Sequence, residues 1–235
     1  MTDIPLMTPE RFATIKSVLS NRQPDLTVIT DEVHKGRNLS AIVRTCDAVG
    51  IGEFHCVVPK KGYRPYRGTA LGSHKWVETR HHDSVEEGVA QLKQKGFRIV
   101  AANLSDKAVA YHQVDYTQPT AILMGTEKEG VSDAALALCD QEVIIPMCGM
   151  VESYNVSVAC AIILVEAQRQ RQLANMYGQR RISDAEYEET LFRWCQPMIA
   201  EYCQERGLAY PELDDEGDLK NPSQWYAKVR TENPA

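Results

Sequence analysis

At 235 residues the chain is long enough to bury a sizeable core, and one α/β domain with terminal additions is the economical reading. Its seven cysteines form no Cys-x-x-Cys pair and sit mostly in apolar surroundings, so neither a disulfide framework nor a zinc site is favoured, and no metal is expected. The net charge of −6 counts against nucleic acid until its distribution is read: residues 1–82 carry 12 Lys/Arg against 8 Asp/Glu, whereas 182–235 carry 5 against 12. No leader pattern opens the chain and no apolar run approaches membrane-spanning length, so a soluble cytoplasmic protein with one basic half is expected.

Thr8-Pro9-Glu10 opens a helix whose Phe12, Ile15 and Leu19 make one apolar face. Arg11 and Arg22 flank it as candidate phosphate contacts, with ordinary surface charge as the other reading. A strand over 26–29 leads through a charged loop to Asn38, and a helix over 40–49 stops at Gly50-Ile51-Gly52. On that helix Ser40 and Arg44 share a face, with Asn38 at its mouth. A second strand, 54–58, ends at Pro59. The loop after it interleaves Lys60, Lys61, Arg64 and Arg67 with Tyr63 and Tyr66, a pattern in which arginine grips phosphate and tyrosine stacks on a base. A strand around Val77 follows.

Asp83-Ser84 caps a scaffold helix over 85–95 that Gly96 stops, and 97–102 reads as a buried strand ending in polar residues 103–106. Residues 111–118 read as connecting chain. The stretch 121–124 is apolar throughout, as a central, two-sided parallel strand must be, and Gly125 after it permits close backbone approach to a ligand. The turn 125–130 lacks the Gly-Lys-Ser/Thr ending of a phosphate loop, and no Gly-x-Gly-x-x-Gly occurs, which argues against nucleotide hydrolases and dehydrogenases. A strand over 142–145 ends at Pro146. After Gly149 comes a polar pause, Glu152-Ser153-Tyr154-Asn155, and then a long helix over 156–173. Ser153 or Asn155 caps that helix or serves a ligand at the strand end. Arg169 and Arg171 near its end complement the helix dipole or meet RNA. Two short helices, 184–193 and 197–206, precede an acidic tail that Trp194, Trp225 and Tyr226 equip to dock.

Three Gly-punctuated polar segments, Asn38-Leu39-Ser40-Ala41-Ile42-Val43-Arg44, Ile122-Leu123-Met124-Gly125-Thr126-Glu127-Lys128-Glu129-Gly130 and Ile144 to Ala159, resemble in order and spacing the three motifs of the SPOUT superfamily. The resemblance is to its SpoU/TrmH branch of RNA ribose 2′-O-methyltransferases. It extends to the flanking phrases Gln23-Pro24-Asp25-Leu26-Thr27-Val28 and Glu166-Ala167-Gln168-Arg169-Gln170-Arg171-Gln172, and so to members that act on guanosine 18 of the tRNA D-loop. A sister activity on ribosomal RNA or another tRNA position is the alternative.

The resemblance implies a parallel sheet with helices on both faces and a deep C-terminal trefoil knot, a methyltransferase domain over 23–175, and helical extensions over 1–22 and 176–235. It implies S-adenosylmethionine as cofactor, tRNA as partner and a homodimer. It further implies a catalytic set of Arg44, Asn38, Ser153 and Asn155, and a cofactor site of Leu123, Gly125, Glu127, Ile145, Met147, Ser153, Tyr154, Asn155 and Val158. Tyr154 departs from the family's usual leucine, which puts the fit of the adenine pocket in question.

Overall fold

In the computed structural model, which describes residues 7–57 and 75–232, the segment Arg22–Tyr177 forms one compact unit. Its strands in chain order are β1 (Leu26–Thr30), β2 (Glu53–Val57), β3 (Glu78–His82), β4 (Arg98–Ala102), β5 (Val109–Ala110), β6 (Thr120–Met124) and β7 (Gln141–Ile144). Every pairing among them is parallel, in the order β3-β2-β1-β6-β4-β7-β5. β1 and β6 are buried at all five positions, because helices cover both faces of the sheet.

The helix over Gly36–Ala48 and the long helix over Val156–Leu173 cover one face. Leu39, Ile42, Val43 and Cys46 of the first, at helical spacing, meet Val28 and Ile122 of the sheet together with Cys160, Ile163 and Leu164 of the second. On the other face Val85, Val89 and Leu92 of the helix over Val85–Gln94, with Ala135 of a short helix over Asp133–Leu136, pack on Ile29, Ile99 and Leu123. Each fully buried leucine or isoleucine contributes about 1.5–3 kcal/mol over leaving it exposed. In chain order these four helices are α2, α3, α4 and α5, since a helix α1 precedes them.

The second unit, Met1–Asn21 with Gly178–Ala235, is helical where described: α1 (Pro9–Ser20), α6 (Asp184–Cys195), α7 (Pro197–Arg206) and α8 (Pro222–Glu232). Thr8 caps α1, whose Phe12, Ile15 and Leu19 are buried, and α1 packs on α6. The acidic tail docks, as its aromatic residues predict: α8 carries Trp225 against Tyr202 of α7, ring centroids 6.2 Å apart, and Tyr210 stacks on Phe192 of α6 at 4.5 Å. No helix among the described residues is long and apolar enough to cross a membrane.

Several expectations are corrected. α2 begins at Gly36 rather than 40, so Asn38 lies in its first turn. The two-residue strand β5 and a 3-10 turn over Tyr111–Gln113 stand where connecting chain was expected. Arg22 and Arg171 are not free to meet RNA. Arg22 is 4% exposed, and its guanidinium donates to the carbonyls of Ile51 at 2.7 Å and Trp76 at 2.8 Å. Arg171 is fully buried in a network described below. Lys60, Lys61, Arg64 and Arg67, with Tyr63 and Tyr66, lie outside the described residues.

Candidate active site

β6, β4 and β7 are neighbours, so the chain leaves their C-terminal ends on the same edge of the sheet. There a cavity of about 390 Å³ opens, walled by Asn103 and Leu104 after β4, by 125–130 after β6 and by Ile145, Met147 and 152–154 after β7. Val156, Ala159 and Ile163 of α5 close its apolar side.

The turn after β6 is held by its own backbone. Thr126 and Gly130 exchange N–H···O bonds of 2.8 and 3.0 Å, and Gly130 takes a φ of +71°. A Cβ at Gly125 would sit 2.1 Å from the carbonyl carbon and oxygen of Gly130, so glycine is required there. The close approach expected at Gly125 is therefore to the returning chain, which shapes the cavity wall.

The three polar motifs meet at the cavity mouth. Asn38 of α2 donates its side-chain N–H to Oε1 of Glu127, and Asn155 donates to Oδ1 of Asn38 at 3.3 Å. Lys35 Nζ lies 3.8 Å from the same Glu127 oxygen. Asn155 also accepts from the Ser157 amide at 3.0 Å and hydroxyl at 2.7 Å, capping α5. The capping reading of Asn155 therefore holds, while Asn155, expected also to hold the cofactor, meets Asn38 at the mouth and is outside the cavity lining.

Of the residues expected to hold a cofactor, Gly125, Glu127, Ile145, Met147, Ser153 and Tyr154 line the cavity. Leu123 does not: it is fully buried and packs on the α3 side of the sheet. Val158 is 44% exposed on α5, outside the lining. Arg44 lies six residues beyond Asn38, about 9 Å along α2, and is exposed. It makes no hydrogen bond or ion pair among the described residues. Arg11 is half-buried, and the exposed Arg169 is taken up by Glu166 through two bonds of 2.8 Å.

Asn103, Leu104, Ala159 and Ile163 are cavity residues that the sequence did not single out. The polar end of the strand before Asn103 was visible, but its neighbour across the site is set by β7 inserting between β4 and β5. Burial pushes the Cys160 thiol up to about 12 and raises that of Cys46, so neither is a nucleophile at neutral pH.

The cavity falls in the size range of small-ligand sites, with apolar Ile145, Met147 and Ile163 facing polar Glu127 and Ser153. That mixture suits a nucleoside carrying a compact cationic group.

Residues 25–165 match the family model described as the SpoU rRNA Methylase family, and residues 169–222 match the SpoU, rRNA methylase, C-terminal model. The tRNA (guanosine(18)-2′-O)-methyltransferase of Escherichia coli K12 is 47% identical over 226 residues, covering 95% of this chain and 99% of that protein. The enzyme of the same description from Thermus thermophilus is 51% identical over 187 residues, 80% of this chain and 96% of that one. Among solved structures, the TrmH/SpoU tRNA modifying enzyme of Aquifex aeolicus superposes with a TM-score of 0.74 at 42% identity, over 79% of this chain and 94% of that one. The SpoU methyltransferase AviRb of Streptomyces viridochromogenes, in complex with the cofactor AdoMet, superposes with a TM-score of 0.57 at 26% identity, over 65% of this chain and 59% of that one. Matched from Asp25 to Pro222 with only a short gap, this chain belongs to the SpoU methylase family.

Proposed function

We propose that the protein transfers a methyl group from S-adenosylmethionine to the ribose 2′-hydroxyl of guanosine 18 in tRNA. The observation that carries this reading is the near end-to-end match to the E. coli enzyme described by that reaction. A ribosomal RNA methyltransferase of Acinetobacter baylyi is 33% identical and covers only 67% of this chain, so the ribosomal alternative is the weaker one.

The cavity at the ends of β6, β4 and β7 would hold the cofactor, with Glu127, Ile145, Met147, Ser153 and Tyr154 against it. S-adenosylmethionine, when bound, supplies a methyl group already activated on its sulfonium. The protein must then align the ribose oxygen and exclude water. Arg44 is a poor base, because a guanidinium stays protonated at neutral pH. It grips the phosphate beside the target ribose and orients the 2′-hydroxyl, whose proton leaves late to a phosphate oxygen or water. Asn38, Glu127 and Asn155 tie α2, which carries Arg44, to two walls of the cavity.

Arg11 and the loop residues Lys60, Lys61, Arg64 and Arg67 are the proposed phosphate contacts. A homodimer is proposed because Val158, Val165 and Leu173 leave an apolar stripe along α5, 44%, 56% and 72% exposed. The trefoil knot, the methyltransferase domain over 23–175 with helical extensions on either side, and a cytoplasmic location go with the same proposal.

The test is transfer of labelled methyl to unmodified total tRNA and to ribosomal RNA in parallel, with the modified ribose mapped. Label at the D-loop guanosine, lost in Arg44→Ala without a change in melting temperature, is the expected result. Label confined to ribosomal RNA or to another tRNA ribose would overturn the substrate, and no label in either would overturn the reaction.

A further inference from the structure

The geometry points to Asp31 as a positioning residue that clamps the cofactor turn shut. Asp31 stands just past the end of β1, next to β6, and is 5% exposed. Its amide donates to the carbonyl of Met124 at 2.8 Å, and its Oδ2 accepts the amide of Ser132 at 2.9 Å. Met124 is the last residue before the turn that walls the cavity, and Ser132 lies just beyond it, capping α4. One residue therefore holds both the entry and the exit of that turn.

The chain then bends at Glu32, whose φ of 51° is left-handed and uncommon for a residue with a side chain. That bend sends it into α2, where Asn38 donates to Glu127 in the same turn. Asp31, the turn, Glu127, Asn38 and α2 form a closed circuit. Releasing Ser132 would leave the turn, still bridged between Thr126 and Gly130, anchored only at Met124, so that it could swing and carry Glu127 away from both the cavity and Asn38.

This inference rests on the methyl-donor reading above. The experiment is binding of labelled S-adenosylmethionine by equilibrium dialysis, with steady-state transfer to tRNA, for the full chain and for Asp31→Ala and Asp31→Asn. In Asp31→Ala the cofactor Kd is expected to rise about tenfold or more while tRNA affinity stays within about twofold. Asp31→Asn should recover most of the affinity, since its amide oxygen can accept the same N–H. A cofactor Kd within about twofold of the unaltered protein in Asp31→Ala, or an equal loss in both variants, overturns the clamp. If the alanine variant does not fold, exchange of the Ser132 amide in the unaltered protein decides. Protection that rises on adding cofactor supports the clamp, and free exchange in both conditions overturns it. Failure of the unaltered protein to bind cofactor would instead refute the methyl-donor reading.

Discussion

Arg171→Met is the substitution that most sharply separates a structural arginine from an RNA-binding one. The Arg171 side chain is fully buried, and its guanidinium donates to Tyr116 O at 2.8 Å, Gln23 Oε1 at 3.0 Å, Asp25 Oδ1 at 2.6 Å, Asp25 O at 3.1 Å and Gln118 O at 3.3 Å. Methionine fills similar space but leaves all of these acceptors without their donor. Removing one partner of a buried ion pair costs about 3–5 kcal/mol. Asp25 retains 21% exposure and can be partly rehydrated, which places the expected loss near the lower end, about 3 kcal/mol. At roughly 2–4 °C per kcal/mol for a chain of this size, the melting temperature should fall by roughly 10 °C. Urea unfolding of the protein without RNA measures this, and a cycle with Asp25→Asn should show coupling of about 1–3 kcal/mol. Unchanged stability, combined with weaker tRNA binding and a salt dependence shallower by about one counterion, would show that the guanidinium faces RNA and refute the assignment.

Gly125→Ala should lower methyl transfer by about tenfold or more and weaken cofactor binding, because the added Cβ would meet the Gly130 carbonyl at 2.1 Å and force the turn open; titration with labelled cofactor checks it. Stability should fall with acid below about pH 6.5, the ordinary histidine value. Burial, reinforced by His55, lowers the pKa of His82, so the stabilisation from its neutral form is present above that pH and lost as pH falls through the lower folded value. Glu53, depressed by the hydrogen bond from His55 and then by Lys95 and Arg80, loses its contribution in the same direction but further into acid. His82→Gln should flatten the pH 5–7 part of a melting-temperature profile. Val165→Glu with Leu173→Glu should convert the proposed dimer to monomer in sedimentation velocity; a dimer mass unchanged by the pair would remove α5 from the proposed interface.

Local signals were enough for some elements and not for others. The run over 156–173 reads as a helix from its polar cap and apolar stretch, and α5 spans those residues. α2 starts earlier than expected because its N-cap, Lys35, contributes no side-chain hydrogen bond and leaves no capping signal. β5 has two residues, too few for a periodicity to register. The burial of Arg22 and Arg171 was not legible, because an arginine's surroundings are set by residues far away in sequence, such as Asp25 for Arg171. The motif residues were visible one by one. Their union was not, since Asn38 reaches Glu127 across 89 positions and Asn155 across 117.

The flanking phrases that resemble the family have a physical reason to be as distinctive as the motifs. Gln23 and Asp25 come from the first phrase and Arg171 from the second, and together they form the buried network at the edge where β1 and β6 begin. Gln170 adds bonds to the Tyr116 amide at 2.8 Å and the Val114 carbonyl at 3.0 Å. Along α5, Arg171 of this network lies 16 residues beyond Asn155 at the cavity, about 24 Å at 1.5 Å per residue. A helix of that length, packed along its course on α2 and the sheet, moves as a rod. Anchoring its far end therefore fixes the height at which Asn155 meets Asn38 and at which Ala159 and Ile163 wall the cavity. Loss of the Arg171 network should consequently weaken cofactor binding even though none of its residues lines the cavity, and restoring the charge alone with Arg171→Lys should not recover it, because an ammonium cannot span five acceptors arranged for a planar fork.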